Sequence, residues 1–257
     1  MPKLIINAQE VEAPPGSSIL EAVRSVGAKL PTLCYWEGLP AYGACRLCLV
    51  ELVEPRAEVI AACSYPVEEG MVIDTCGKRA QAIRKLVLEF MLARCPESLV
   101  IRELARLEGV THTRFQAAGD QGELCVLCGL CVRVCRDAVG AAAISFTGRG
   151  AERKVDSPFH LQAEDCIGCG ACAAVCPTGA IHIEDRDGQR YLHTWNTVVR
   201  LQPCQVCGKP YAPEPMAFLK ELAGTVESSY GTCPSCRRKA AAGQFDSARV
   251  ARATSKI

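Results

Sequence analysis

The chain has 257 residues, enough for one large domain or two to three small ones, and a formal net charge of +1 that gives no case for a nucleic-acid partner. Its 18 cysteines are far above ordinary usage; in a secreted chain they would be a disulfide framework. The opening Met-Pro-Lys-Leu-Ile-Ile-Asn has neither a long apolar run nor a small-residue cleavage site, so a reducing, cytoplasmic setting with metal-bound thiolates is expected instead. No stretch approaches ~18 uninterrupted apolar residues, so no membrane span is expected. Aromatics are only 5%, and metal ligation is expected to replace part of the usual hydrophobic burial.

In chain order, residues 3–13 alternate around Leu4, Ile6 and Val11 with a turn near Asn7-Ala8, which predicts a β-hairpin. After the turn Pro14-Pro15-Gly16, Ser17 or Ser18 is placed to cap a helix, with Glu21 as capping-box partner of Ser18. Ile19, Leu20, Val23 and Val26 give that helix an apolar face, and Gly27 ends it. Cys34, Cys45 and Cys48 follow in a Gly/Pro/Tyr-rich segment. Cys63 comes after predicted strands at Leu49–Val53 and Val59–Ala62, and Met71–Asp74 reads as a closing strand. Strand, strand, helix and cysteine loop resemble a β-grasp ferredoxin. The gaps between these cysteines are ten, two and fourteen residues. Plant-type ferredoxins open with four; the longer first gap resembles the β-grasp domain of complex I-like proteins. Four thiolates around one loop and one strand end suit a [2Fe–2S] rhombus, whereas a zinc site would be written as two close pairs, and here only Cys45 and Cys48 form one.

Residues 78–94 predict a helix with Ala80, Ile83, Leu86, Val87, Phe90 and Met91 along its apolar face, and a second helix runs from about Glu97 to Leu107 with Pro96 in its first turn. In the complex I-like family this region carries a [4Fe–4S] cluster on one His and three Cys. Here Cys95-Pro96 stands where the family has His-Pro, and Leu99, Arg102 and Glu108 occupy the neighbourhood of the missing cysteines, so that cluster is expected to be absent. Cys76 and Cys95 are left over and read as small buried apolar residues. Residues 109–121 read as a linker.

Two runs of cysteines follow: Cys125, Cys128, Cys131 and Cys135, then Cys166, Cys169, Cys172 and Cys176 before Pro177. Three cysteines at two-residue gaps and a fourth after three more residues make the bacterial ferredoxin pattern for [4Fe–4S] ligation, in which the fourth serves the other half's cluster. The expected shells are Cys125, Cys128, Cys131 and Cys176 for one cubane, and Cys166, Cys169, Cys172 and Cys135 for the second. The fourth cysteine of each run is expected at the start of a helix. Gly129, Gly168, Gly170 and Ala171 are small enough to let backbone N–H groups reach the sulfurs, which raises a cluster's potential. Between the runs, Ala141–Phe146 predicts a strand and Gly148 and Gly150 a turn. The segment 137–150 resembles the iron–sulfur diaphorase subunit of soluble NAD-linked [NiFe]-hydrogenases, the N-terminal iron–sulfur region of the large peripheral subunit of complex I, and electron-bifurcating [FeFe]-hydrogenases. The resemblance covers roughly residues 1–185.

Arg190–Leu201 reads as a β-hairpin turning at Trp195-Asn196. Cys204 and Cys207, then Cys233 and Cys236, form two knuckle pairs twenty-five residues apart, flanking a predicted helix at Pro215–Ala223. Two such pairs suit a four-cysteine Zn2+ site, and a third [4Fe–4S] cluster is the rival. After Ala240 the tail is polar and is expected to order only on a partner.

The reading is therefore α+β: a β-grasp [2Fe–2S] ferredoxin domain (1–76), a helical linker domain (77–119), a 2[4Fe–4S] ferredoxin domain (120–186), and a hairpin with a four-cysteine, zinc-ribbon-like metal-binding domain and tail (187–257). There is no Gly-rich dinucleotide or phosphate loop. His112, His160, His182 and His193 are scattered, so no active site of its own is expected. The short basic run Arg237-Arg238-Lys239 reads as solvated surface, not as a nucleic-acid site. The resemblance implies an electron-transfer subunit of a multi-subunit oxidoreductase. Its partners would be a flavoprotein subunit handling NAD(P)H and a hydrogenase- or formate dehydrogenase-type catalytic subunit, with ferredoxin as a third couple if the complex bifurcates electrons. The alternative is a free-standing multi-cluster ferredoxin that diffuses between enzymes.

Overall fold

Asn7 and Ala8 both adopt left-handed φ, 51° and 67°, the conformation that a two-residue hairpin turn requires, and they join β1 (Lys3–Ile6) to β2 (Gln9–Glu12). The Asn7 side chain fixes the turn, accepting from the Thr75 amide at 2.9 Å and donating to the Thr75 hydroxyl at 2.8 Å. The computed structural model describes residues 1–117, 122–214 and 231–243. The described residues pack as two compact units: those within 1–140, 145–155 and 172–180 form the first, and those within 141–144, 156–171 and from 181 on form the second.

In the first unit a mixed sheet runs in the order β2-β1-β5-β3-β4, with β3 Leu49–Glu54, β4 Glu58–Ala61 and β5 Val72–Asp74; β1 and β5 are parallel and the other neighbours antiparallel. Helix α1 (Ile19–Ser25) carries the expected Ser18–Glu21 capping box and buries Ile19, Leu20, Ala22 and Val23 in the same core as Leu4, Ile6, Leu49 and Ile73. This is the β-grasp arrangement.

Helix α2 (Lys78–Arg94) forms where expected but turns a different face inward. Ala80, Arg84, Leu88 and Ala93 are buried, while Ile83 and Phe90 lie 39% and 52% exposed, Phe90 stacking on Phe115 at 4.2 Å. The reason is Arg84. Its guanidinium reaches the carbonyls of Leu49 at 2.8 Å and Thr75 at 3.2 Å and pairs with Glu108 at 3.1 Å, so a cation stands in the stripe that apolar counting assigns elsewhere. Gly77, before the helix, offers no side-chain cap; the Glu51 carboxylate of β3 accepts from the Arg79 amide at 2.7 Å instead. An Arg84→Ala substitution leaves Glu108 and two carbonyls without their donor and is expected to cost about 3–5 kcal/mol, read as a lower denaturant midpoint of the whole chain. Helix α3 (Leu99–Leu107) begins later than the sequence suggests: Ser98 caps it, accepting from the Ile101 amide, and Pro96 falls outside the first turn. Buried Ile101 and Ala105 of α3 and Leu88 of α2 pack on Leu33, Cys34, Cys45 and Leu47, with Val126 and Cys128 against the same cluster.

A separate two-stranded sheet pairs β6 (Ser145–Thr147) with β7 (Lys154–Asp156), so the strand expected at Ala141–Phe146 begins only at Ser145. The second unit is built on an antiparallel sheet in the order β11-β10-β9-β8: β8 Ile183–Arg186, β9 Gln189–Leu192, β10 Thr197–Pro203 and β11 Pro210–Pro213. The expected hairpin is present, with Trp195 buried and Asn196 left-handed at φ 47°. Its extra partner β8 was not anticipated, although Asp187-Gly188, at φ 52° and 74°, is a strong hairpin signal. Residues 234–243 are helical. The predicted helix Pro215–Ala223 and the tail beyond residue 243 lie outside the described residues. Among the described residues no helix is long and apolar enough to cross a membrane.

Candidate metal centres

Cys34, Cys45, Cys48 and Cys63 are buried, with exposures of 1%, 5%, 0% and 2%. The Cys45 amide approaches the Cys34 sulfur at 3.5 Å, and the thiols touch one another in the pairs Cys34–Cys45, Cys34–Cys63 and Cys48–Cys63. None of the eighteen cysteines is in a disulfide. Ionisation is divided among Cys45, Cys48 and Cys63. The hydrogen bond with Cys34 and then burial push Cys45 far up. The hydrogen bond from Cys63 pulls Cys48 down. Cys63 is drawn down by Cys34 but, through its bond to Cys48 and its burial, ends at about 11. Burial disfavours the charged thiolate, so a cation bound here displaces thiol protons as it binds. Four unbridged sulfurs in contact, in an otherwise apolar pocket, fit a thiolate-ligated iron cluster.

In the first ferredoxin run, Leu127 and Gly129 turn the loop with left-handed φ of 56° and 74°. The amides of Leu127 and Leu130 point at the sulfurs of Cys125 and Cys128. Cys176 lies close enough to Cys125 and Cys128 for their charges to interact, and its own sulfur accepts from the Ala180 amide at 3.3 Å. Burial pushes Cys128 up to about 11 and Cys131 further. The structure thus brings Cys176 to the first run. The helices run otherwise than expected: Cys131 lies within α4 (Leu130–Arg133), Cys135 within the wide turn Val134–Ala138 that continues it, and Cys176 just past α5 (Ala171–Ala174). The fourth cysteines therefore follow short helices and do not open them. A Cβ on Gly129 would meet Phe146 Cζ at 3.1 Å and Tyr42 Cε1 at 3.3 Å. Gly129→Ala is expected to lose about 1–2 kcal/mol of loop stability and to lower [4Fe–4S] occupancy, measured as acid-labile sulfide per chain.

Of the other expected shell, Cys135 and Cys172 belong to the first unit and Cys166 and Cys169 to the second. The loop carrying Cys166 and Cys169 is held from within its unit: Arg190, paired with Asp185 at 2.7 Å, donates to the Gly168 carbonyl at 2.9 Å, and a Cβ on Gly168 would press on Val199 at 3.1 Å.

Cys204, Cys207, Cys233 and Cys236 place their sulfurs all within 4.8 Å of one another. The Cys233 amide donates to the Cys204 sulfur at 3.2 Å and the Cys236 amide to the Cys233 sulfur at 3.5 Å, the N–H-to-thiolate pattern of a metal knuckle. Those amides pull Cys233 down and Cys204 down to about 6, while sharing its proton with Cys207 and Cys233 pushes Cys236 up to about 12. The Cys207 and Cys233 sulfurs are 3.8 Å apart. A tetrahedron with metal–sulfur bonds of about 2.3 Å has edges of about 3.8 Å, so one ion fits; a cubane holds its four thiolates further apart.

Cys95 is fully buried, as a small apolar residue would be, and burial pushes it up to about 12; Cys76 is exposed, contrary to expectation, its amide held by Asp74 at 2.8 Å. All four histidines are exposed. Two of them are not scattered: His182 stacks on His193 at 4.8 Å, where β8 pairs with β9. Sequence reasoning missed Arg94, whose Nε donates to the Cys125 carbonyl at 2.8 Å and whose charge faces Glu123, the acceptor for the Cys125 amide at 2.6 Å. It missed Arg133 as well. No spacing rule marks either one.

The segments that carry these cysteines match known domains. Residues 3–77 match the 2Fe-2S iron-sulfur cluster binding domain, and residues 124–180 and 165–209 match the 4Fe-4S dicluster domain. The chain is thus an iron–sulfur electron-transfer protein. It is homologous to the large iron–sulfur subunit of NADH dehydrogenases. It is 30% identical over 205 residues to the NADH-quinone oxidoreductase G 2 subunit of Rhizobium meliloti (strain 1021), covering 70% of this chain and 24% of that protein. It is 28% identical over 203 residues to the mitochondrial NADH-ubiquinone oxidoreductase 78 kDa subunit of Neurospora crassa, covering 70% and 27%. The chain therefore spans about a quarter of the length of these relatives. A chain of NAD+-reducing [NiFe]-hydrogenase in the H2-reduced state shares the fold, with a TM-score of 0.57 and 23% identity over 80% of this chain and 88% of that one.

Proposed function

We propose that this chain relays electrons between a flavoprotein subunit that handles NAD(P)H and a catalytic subunit of hydrogenase or formate dehydrogenase type, in the cytoplasm, with ferredoxin as a third couple if the complex bifurcates. Cys34, Cys45, Cys48 and Cys63 would hold a [2Fe–2S] cluster. Cys125, Cys128, Cys131 and Cys176 would hold one [4Fe–4S] cluster, and Cys166, Cys169, Cys172 and Cys135 a second. Cys204, Cys207, Cys233 and Cys236 would hold Zn2+, favoured over a third cubane by the sulfur spacing. The segments 1–76, 77–119, 120–186 and 187–257 would be the corresponding domains. Each cluster, when bound, supplies a one-electron couple; the chain's own residues space, insulate and tune it.

One observation carries this reading: Cys34 and Cys45 share an apolar cluster with Val126 and Cys128, so the two kinds of metal site adjoin within a single packed unit. Relatives named as NADH oxidoreductase subunits support the partner assignment. The test is anaerobic purification at native expression level. About ten irons and one zinc per chain are expected, together with a co-eluting flavoprotein. A stable iron-loaded monomer without partners would favour the diffusible ferredoxin, and a colourless chain would end the proposal.

A further inference from the structure

Arg133 lies on α4 between the cysteines at 131 and 135, yet it is only 5% exposed. Its guanidinium donates to two backbone carbonyls of the first cysteine loop, Pro40 and Cys34, and stands over the Tyr42 ring at 5.2 Å. Its Nε–H is buried and has no partner among the described residues. The acceptors are neutral, and among the described residues no salt bridge cancels the charge there. Asp137, a carboxylate near enough to feel it, is itself paired with Arg136 at 2.6 Å. A buried cation left uncompensated is costly, and it persists where some other negative charge offsets it.

We propose that Arg133 is a positioning residue for electron transfer: it fastens the Cys34 loop to the helix of the first ferredoxin run, and its fixed charge raises the reduction potential of the [2Fe–2S] centre. The inference rests on the cluster assignment above. Reducing a thiolate-ligated iron cluster adds one negative charge and breaks no bond, so a cation held against a ligand's backbone favours the reduced form. In a buried site that attraction is weakly screened. Hydrogen bonding to the Cys34 carbonyl acts in the same direction, drawing electron density from the ligand residue. A residue serving only to brace the loop would need neither a charge nor the free donor.

The experiment is a potentiometric EPR titration of the full chain, loaded anaerobically. Arg133→Met keeps the apolar stem and removes the charge. The expected result is a [2Fe–2S] reduction equilibrium shifted about tenfold toward the oxidised form, about 59 mV lower for one electron, with iron and zinc contents unchanged. Arg133→Lys restores the charge without the two-pronged contact and recovers part of that shift. Should Arg133→Met load iron poorly, Arg133→Gln, equally uncharged but able to donate to a carbonyl, carries the same expectation. A loaded, uncharged variant with the wild-type potential overturns the inference, whatever its thermal stability. A wild-type chain without the [2Fe–2S] signal overturns the cluster assignment and this inference together.

Discussion

Withdrawing the metal from Cys204, Cys207, Cys233 and Cys236 is expected to release residues 204–213 and 231–243 while β8, β9 and most of β10 persist. Among the described residues, few contacts beyond the buried Cys204 and Cys233 hold the knuckles. Val206 is 71% exposed, Cys207 is exposed, and the links are a few backbone bonds such as Cys204 N–H to Lys209 O at 2.9 Å and Gln205 N–H to Gly231 O at 2.9 Å. The sheet, by contrast, rests on buried Leu192, Trp195 and Val199. The amides aimed at the Cys204 and Cys233 sulfurs are strong donors only while those sulfurs are thiolates, which the metal enforces. The sign with pH follows. Binding requires all four thiols deprotonated, so affinity rises with pH. Acid expels the metal, and Cys204, whose thiol is pulled down to about 6, resists protonation until the pH nears that value. A chelator titration between about pH 8 and pH 5 should therefore remove one zinc per chain more readily at the acid end. Hydrogen exchange in 204–213 and 231–243 should rise to the level of fraying termini, with iron unchanged. Iron leaving from this site, with no zinc found, would identify it as a cluster.

Much of the fold was legible because short-range chemistry decides it. Ser18 and Glu21 name their helix start, Asn7-Ala8 takes the turn its position demands, and the cysteine gaps label each loop. Long-range polar contacts escaped. Arg84 is an ordinary helix residue in sequence and becomes the buried centre of α2 only because β3, Thr75 and Glu108 converge on it. The same holds for Arg94 and Arg133, whose acceptors are backbone carbonyls 31 and 99 residues away. Carbonyls carry no side-chain signature, so no pattern search finds them. At the C-terminal pairs the sequence left zinc and a cluster open, since both need four thiolates; the 3.8 Å between the Cys207 and Cys233 sulfurs is a long-range distance that no spacing in the sequence gives. Cys76 and Cys95 show the converse limit, because a lone cysteine has no spacing to read, and tertiary packing buried one and exposed the other.

A Cys48→Ser substitution is expected to remove the [2Fe–2S] cluster outright, about two irons per chain, while both [4Fe–4S] signals remain. Cys48 has no solvent exposure, its carbonyl accepts from the Ala62 amide at 3.0 Å just before β3, and its pKa is lowered, chiefly by the hydrogen bond from Cys63. Serine leaves a buried hydroxyl that is far less acidic and a harder, poorer ligand for iron. The ferredoxin loop should survive, since Arg94 and the left-handed Gly129 hold Cys125 to Cys131 from their own side. Two controls separate ligand from bystander. Cys76→Ser, at an exposed thiol, should change neither iron nor stability. Cys95→Ser buries an unpaired hydroxyl and should cost about 1–3 kcal/mol with iron retained. If Cys48→Ser keeps its full iron and its [2Fe–2S] spectrum, the cluster lies elsewhere; if Cys95→Ser loses four irons, the region that lacks the family's histidine holds a ligand after all. Between those outcomes, loss of [2Fe–2S] alone should also stop electron transfer from the flavoprotein while artificial donors still reduce the cubanes, the behaviour of a relay cut at one of its ends.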